Sequence, residues 1–552
     1  TCKHKYQSSA DRERQHLMST NTTEAPMQTI FSLSELFARM VPVCALIASL
    51  VVFQERRKLQ FLLFGQVGAS LVGIFGLVLF FVTHQYSIHG TSLYGVGMQT
   101  DFLATVMAVS INFIASIVVW FSERNLIGDK TRVSFVQCLV ALSAVAGLLV
   151  AANNLIIFLL CWHAISILLW RVVSLKKEGV ASARVVLFHH LFSDACFALA
   201  TLLILHVSHN ASLSYLAAHA STLQKPLVFF GHVAPVYAGT AIGLLLVFAM
   251  VSKSALFPFH RWLLATIDAP TPLSGLLHAG IVNVSAVMAA RFFATLTLSS
   301  EVQVFWFVWT ALCALIGTVL MSTRSDTKGE LVFSTVGQMG FMSLQCSVGA
   351  IPAAVFHLIA HGFFKCMLFL QAHSSISEGL VKMRFGHAEG GMSEEKSRAY
   401  LGLLAVLAVP VCFWLVKEGN VDSTVSLSVI ITTVALASTV QAFRRVTLGR
   451  LITAGVFYLL AVMASGFISE SFTTYMPSSA VHHDGYLTLG IIVFALISLL
   501  LSWMRGSSAG RMLYVHALNG LYVDDLLDST KIWLTKVRWI FSKERTRHEQ
   551  LR

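Results

Sequence analysis

Charge is what this sequence has least of. Only 12% of its 552 residues are Asp, Glu, Lys or Arg, against about one quarter in a soluble domain. With 56% hydrophobic residues, that shortage excludes a chain of several water-soluble domains, because no polar stretch is long enough to be one. Paired cysteines are also lacking. There are nine cysteines and no CxxC pair. Most lie inside apolar runs and read as small buried residues, not as disulfides or a zinc site, so no metal is expected in this chain. No Gly-rich stretch follows a strand pattern, and there is no quinone, flavin or nucleotide motif. The formal net charge of +12 would suggest nucleic acid in a soluble protein. Here the basic residues sit in short loops between apolar runs, which is a topology signal, so the expected surroundings are a lipid bilayer and not nucleic acid.

What is present is a succession of about 15 apolar runs of ~20 residues, each long enough to span a bilayer as a helix. They centre near Ile47, Leu71, Ser110, Ala141, Leu160, Leu199, Leu246, Val282, Ala311, Gln338, Leu358, Val406, Ile431, Val456 and Phe494. Barrel strands are excluded, because the runs are too long and do not alternate. The expected fold is therefore an all-α polytopic membrane protein. Residues 1–29 are polar and read as a disordered N-terminal segment, with Met18 or Met27 as alternative starts. Basic loops follow the first, third, fifth, thirteenth and last runs, at Arg56–Lys58, Arg124–Arg132, Arg171–Arg184, Arg444–Arg450 and Arg505–Arg511. The positive-inside rule then places the N-terminus outside and the C-terminus in the cytoplasm. The loop from His373 to Arg398 mixes both signs and is either a docking surface for a soluble partner or a solvated connector. Residues Gly520 to Phe541 form an amphipathic stretch too short and too charged to span. It is expected at the interface or against another subunit.

An ionisable residue in a membrane helix costs at least ~2.5–3.5 kcal/mol, so such residues mark ion or proton paths by default. Lys253 stands in apolar sequence five residues before Pro258, which removes a backbone donor and can break the helix. A broken helix beside a charge is a feature of transport sites; the competing reading is a Lys that snorkels to the inner surface. In the next run His278, with Thr271, Ser274 and Asn283, makes a polar stripe, and imidazole exchanges protons near neutral pH. His357, His361 and Lys365 recur every four residues and share one helix face. Three titratable groups on one apolar face are hard to explain as packing. Lys417 and Glu418 are either part of the path or an ordinary pair at the membrane edge. Asp194 is the one carboxylate deep in a run. A buried charge needs a partner. His190 lies one turn earlier on the same face, and Lys253, one run later, is the best cationic candidate. A carboxylate beside Lys253 would hold it protonated, and separation would release the proton.

These residues resemble a known family. The stretch KSALFPFHRWLLATIDAPTPLSGLLHAGIVN resembles the signature of the antiporter-like membrane subunits of complex I and of multisubunit cation/proton antiporters. DTKGELVFSTVGQMGFMSL followed by FHLIAHGFFKCMLFL resembles its second block, and NGLYVDDLLD is similar to the C-terminal region of the NuoL-type members. The resemblance implies N-terminal transmembrane helices over 30–132, two inverted five-helix repeats over 133–293 and 302–440, C-terminal transmembrane helices over 441–510 and a cytoplasmic amphipathic tail over 511–552. It also implies a proton path through Lys253, His278, His357, His361 and Lys365, with Lys417 matching the distal lysine only loosely.

One departure stands out. Complex I members carry a Glu after the Trp of the fifth helix, as partner to the Lys of the seventh. In NNLIIFLLCWHAIS that position is His163, so His163 or Asp194 would have to act as the partner. The long lateral helix of complex I members is also not seen. Within the family HAGIVN, the PFHRWLL variant, the lost Glu and the length together are most like the DabB-type subunits of DAB inorganic-carbon accumulation complexes. That resemblance implies a bacterial inner-membrane subunit that is not itself an enzyme. A proton, or sodium, would enter through it and drive hydration of carbon dioxide to bicarbonate in DabA, a cytoplasmic partner related to zinc β-carbonic anhydrases. The zinc is expected in that partner. The rival readings are an ion-translocating subunit of complex I, of a membrane hydrogenase or of an Mrp-type antiporter, and a membrane scaffold that only anchors a soluble enzyme.

Overall fold

The computed structural model of the chain describes most of residues 36–385 and a short stretch at 512–522. Each of the first eleven apolar runs falls on helix. In chain order these are α1 (Arg39–Leu50), α2 (Glu55–Thr83), α3 (Phe102–Asn125), α4 (Arg132–Ala151), α5 (Leu155–Val173), α6 (Val180–Ser208), the short α7 (Leu213–Ala218), α8 (Ala238–Lys253), the single turn α9 (Arg261–Leu264), α10 (Thr271–Leu276), α11 (Val284–Arg291), the single turn α12 (Phe293–Leu296), α13 (Ser300–Ser322), α14 (Thr327–Ser347) and α15 (Ile351–Phe385). Among the described residues, seven helices are long and apolar enough to cross a membrane. The expected loop from His373 to Arg398 is helical over its first half, because α15 continues to Phe385, and its remainder lies outside the described residues, as do the four runs beyond residue 400, the N-terminal segment 1–29, Asn283, and Lys417 with Glu418.

Helix starts follow short polar signals. The side chain of Asp101 caps α3 by accepting from the Ala104 amide, Asn154 caps α5 by accepting from Ile156 and Ile157, and Asp326 caps α14 by accepting from Gly329. Each satisfies amides that the first turn leaves without partners. Among the described residues strand is confined to connecting segments, where the sequence reading expected none. β1 (Thr91–Ser92) pairs antiparallel with β2 (Gln99–Thr100), and β3 (Pro226–Phe229) with β4 (His232–Tyr237). These segments leave the long apolar runs, so their backbones find partners in a hairpin instead of a helix.

Close packing and buried polar pairs hold the bundle. α13 and α14 touch backbone to backbone: a Cβ on Gly340 would come within 2.5 Å of the Ala314 nitrogen, and one on Gly317 would collide with the Gly337 backbone. Small residues permit such an approach, which drives helix association in lipid, where water expulsion cannot. Gln66 of α2 donates to Asn112 Oδ1 of α3 at 2.9 Å and accepts from Ser143 of α4 at 3.2 Å. At one end of the bundle Arg291 donates to both carboxylate oxygens of Asp101 and to the Val150 carbonyl, joining α11, α3 and α4. At the other end Lys176 bridges to Asp129 at 2.7 Å, tying the α3–α4 loop to the α5–α6 loop. The first residues of the C-terminal tail pack on the chain itself. Ala517 and Leu521 meet Val319, Leu320 and Phe333 of α13 and α14.

Candidate functional site

Two clusters of buried titratable groups stand in this bundle. The first lies between α5, α6 and α8. α8 ends at Lys253, with Ala255 in the left-handed region (φ 54°) and the chain irregular until α9. The expected break at Pro258 therefore begins earlier, at the lysine. Pro258 sits inside the irregular segment and does not start it. The carbonyl freed at Phe257 is taken up by Trp309 Nε1 of α13 at 2.8 Å. Lys253 thus stands at a helix C-terminus, where the macrodipole favours a cation.

The lysine ammonium has three oxygen partners. Nζ donates to the Trp162 carbonyl at 2.6 Å, to Ser166 Oγ at 2.7 Å and to Asp194 Oδ1 at 2.9 Å, and it lies 4.7 Å from the Trp162 ring centroid. Ser166 also donates to Asp194 Oδ1 at 3.0 Å. The second carboxylate oxygen, Oδ2, faces His163 Nδ1 at 2.7 Å. Burial is graded: side-chain exposure is 0% for Lys253, 7% for Asp194 and 44% for His163. A buried ion pair is tolerated only when further hydrogen bonds complete its shell, and Ser166 and the Trp162 carbonyl do this. Ser193 fixes the frame, donating to the Ala249 carbonyl at 2.7 Å while Trp162 Nε1 donates to it at 3.2 Å.

His190 does not partner Asp194. Its ring packs edge-on against Trp262 at 4.6 Å, and neither nitrogen has a hydrogen bond among the described residues. The shared helical face was legible. His163, reaching across from α5, occupies the carboxylate oxygen that His190 was expected to meet.

The second cluster lies between the α10–α11 segment and α15. A π-turn over Leu277–Ile281 separates α10 from α11 and carries His278, whose ring stacks on Phe369 of α15 at 4.4 Å. The rings of His357 and His361 stand 6.1 Å apart on α15, and His357 Nδ1 lies 3.1 Å from Gln345 Oε1 of α14. Lys365 donates to the Leu331 carbonyl at 3.2 Å, with Glu330 of α14 as the carboxylate facing it. His278, His361 and Lys365 are close enough to act on one another electrostatically. All four side chains on this line are buried. Thus His278 joins the α15 trio, while Lys253, Asp194 and His163 form a separate group. The sequence reading missed Ser166, Ser193, Gln345 and Glu330. Ser166 stands three residues after His163 and Ser193 next to Asp194, so helical spacing could have singled out both. Gln345 and Glu330 come from a different helix and had no such signal.

With that geometry in view, comparison with known proteins is informative. The profile of the family described as NADH:quinone oxidoreductase/Mrp antiporter, TM, matches residues 152–406. They include both clusters. The chain is 31% identical over 325 residues to a probable inorganic carbon transporter subunit DabB of Bacillus anthracis, covering 58% of this chain and 60% of that protein. It is 26% identical over 517 residues to the probable inorganic carbon transporter subunit DabB2 of Halothiobacillus neapolitanus, covering 87% of this chain and 90% of that one. The chain thus spans less than two thirds of the first relative. In fold it is similar to a chain of the Mrp complex from Dietzia sp., with TM-score 0.57 at 18% identity, covering 93% of this chain and 60% of the other. The chain is a multi-pass integral membrane protein with the Mrp/complex I-like helical fold.

Proposed function

We propose that this chain is the ion-translocating membrane subunit of a DAB-type inorganic carbon transporter. A proton, or sodium, passes through it, and its passage drives hydration of carbon dioxide to bicarbonate in a cytoplasmic zinc subunit of the DabA type. The chain supplies the ion path and the partner supplies the catalysis and the zinc. The observation that carries this reading is the Lys253–Asp194 pair at the break after α8. A fully buried, fully hydrogen-bonded ion pair beside interrupted backbone is a site that can change protonation state, in a chain similar to inorganic carbon transporter subunits. Lys253, His278, His357, His361, Lys365 and Lys417 form the path, with Glu418 beside its far end. On this reading the fold comprises about 15 spanning helices with two inverted five-helix repeats, the N-terminus outside and the C-terminus in the cytoplasm of a bacterial inner membrane.

The test is to purify the chain from its native membrane with whatever remains bound and to assay carbon uptake with and without an uncoupler. A copurifying zinc protein, with uptake abolished by the uncoupler, supports the reading. A retinue of redox subunits, or of several small membrane subunits, would instead favour a complex I-type or Mrp-type assembly, which the fold similarity also fits.

A further inference from the structure

The end of the bundle that holds the Lys176–Asp129 bridge carries a hole and a knob side by side. A cavity of about 140 Å³ opens between the start of α4, the α5–α6 loop and the α9–α10 connection. Its inner walls are apolar, from the buried Phe135 and Val172 with Leu175 and Pro270, and the exposed Lys176 and Glu178 stand at its mouth. A cavity of ~150 Å³ takes up a benzene ring, so this one has room for a single large apolar side chain. Beside it, at the tip of the α3–α4 loop, Ile127 is 73% exposed. Asp129 braces that loop, accepting from the amide and hydroxyl of Thr131 at 2.8 and 2.7 Å and from Lys176 at 2.7 Å. Thr131 and Lys176 also line the cavity, so the same contacts fix the knob relative to the hole. The exposed Trp120 of α3 marks the level of the lipid headgroups. From there α3 runs on to Asn125, roughly 8 Å further at the helical rise and about the depth of a headgroup layer. Ile127 therefore stands in water, past the level at which lipid would cover it.

We propose that this hole and knob are the docking surface for the soluble partner, and that they take a protein surface on which an apolar side chain is ringed by Asp and Glu. This rests on the proposed function, which supplies both the soluble partner and the cytoplasmic side of this end. A rigid apolar knob beside an apolar hole, with charge around them, is the pattern of a protein interface: an apolar centre and a polar rim. The rim here is basic. Lys130, Lys177, Arg171 and Arg184 are all exposed around the pair and outweigh Glu178, so the complementary surface is acidic. Anionic lipid headgroups also seek basic loops, but the Glu178 carboxylate at the mouth of the hole repels a phosphate, and Ile127 stands too far out for acyl chains. The third wall of the hole gives the contact its consequence. Ala265, Ala269 and Pro270 belong to the chain that joins Lys253 to the π-turn at His278, and Lys328 of α14 holds that chain by donating to the Ile267 carbonyl at 3.1 Å. A side chain seated in the hole touches the connection between the two titratable clusters, so the docking surface is also where a shift of that connection reaches the partner.

The intact complex, purified from its membrane and held in lipid bilayers, provides the test. A photoreactive benzoylphenylalanine in place of Ile127 is expected to label the soluble partner, at a site where apolar side chains lie among carboxylates. Ile127→Asp changes a side chain that is mostly in water, so the unfolding temperature of the chain stays at the wild-type value while partner binding weakens on the order of tenfold or more. Ser182→Phe, which fills the hole from its own wall, is expected to have the same effect on binding. Lys130→Glu combined with Lys177→Glu slows association at low salt, and Lys225→Glu, exposed at the opposite end of the bundle, does not. Label found on lipid, or on the partner only through some other face of this chain, with binding unaltered by Ile127→Asp and Ser182→Phe, overturns the docking surface and leaves the proposed function standing. A purified complex with no soluble protein in it overturns the proposed function, and this surface with it.

Discussion

Lys253 Nζ and Asp194 Oδ1 lie 2.9 Å apart, joining the C-terminus of α8 to the middle of α6 with no solvent reaching the lysine. Each charge makes the other tolerable. Removing Asp194 leaves the lysine buried and uncompensated, which costs about 3–5 kcal/mol; removing Lys253 leaves the carboxylate only Ser166 and His163, whereas removing both can be nearly neutral.

Lys253→Met is therefore expected to lower the unfolding midpoint of the chain in detergent, and Lys253→Met combined with Asp194→Asn to restore most of it. Neither variant is expected to support ion-driven carbon uptake. A double variant no more stable than the single one would mean that the pair is not coupled.

The Arg291–Asp101 pair is the corresponding structural clamp. Arg291 is held by the Asp101 carboxylate and the Val150 carbonyl, and Gln99 adds a bond to Asp101 at 2.9 Å. Arg291→Ala is expected to destabilise by about 3–5 kcal/mol through the stranded carboxylate. Arg291→Lys is expected to recover only part of this, because an ammonium cannot make the forked contact. Thermal unfolding of the three proteins decides it; equal stability of the Ala and Lys variants would contradict the forked geometry.

The α13–α14 contact gives a prediction from shape alone. Gly340→Ala would push a methyl group into the Ala314 backbone, while Gly147 of α4 has nothing within 4 Å of the corresponding position. Gly340→Ala is expected to reduce the yield of folded protein and its unfolding temperature, and Gly147→Ala to leave both unchanged. Size-exclusion profiles and unfolding curves of the two variants give the comparison.

In the α3–α4 loop, hydrogen bonds from Lys176 and from the backbone and hydroxyl of Thr131 hold the Asp129 carboxyl down at about 2, below its ordinary value of 3.8. A carboxyl depressed by folding stabilises the folded state above its unfolded value, and that contribution is lost as pH falls through the folded one. The loss is expected between about pH 4 and pH 2. Hydrogen exchange of the α3–α4 and α5–α6 loops should show it, and Asp129→Asn should abolish this dependence. Identical acid profiles for wild type and Asn would rule the contact out as its source.

Much of the architecture was legible because lipid imposes one simple rule: a span must be long, apolar and helical. That rule located from hydropathy the first eleven apolar runs, all of which fall on helical segments. It also made Asp194 and Lys253 conspicuous, since charge in such runs is rare. It said little about what interrupts a helix. Ala255 carries the left-handed turn after Lys253, and alanine advertises no such conformation. The π-turn around His278 likewise has no marker in the sequence. The periodicity that put His357, His361 and Lys365 on one face was correct for spacing, but their outside partners, Gln345 and Glu330, come from α14. Of the two partners expected for Asp194, Lys253 is met and His190 is not, for the same reason. Spacing within α6 favoured His190, whereas packing between helices brought His163 across from α5.

The most direct test of the central claim is carbon uptake by cells whose chain carries Lys253→Met, compared with wild type at equal amounts of the chain in the membrane and an equal membrane potential. Collapse of uptake to the level reached with an uncoupler is expected if ions pass by way of the Lys253–Asp194 pair. Uptake at the wild-type rate, still sensitive to the uncoupler, would contradict it and leave this chain as an anchor for its partner.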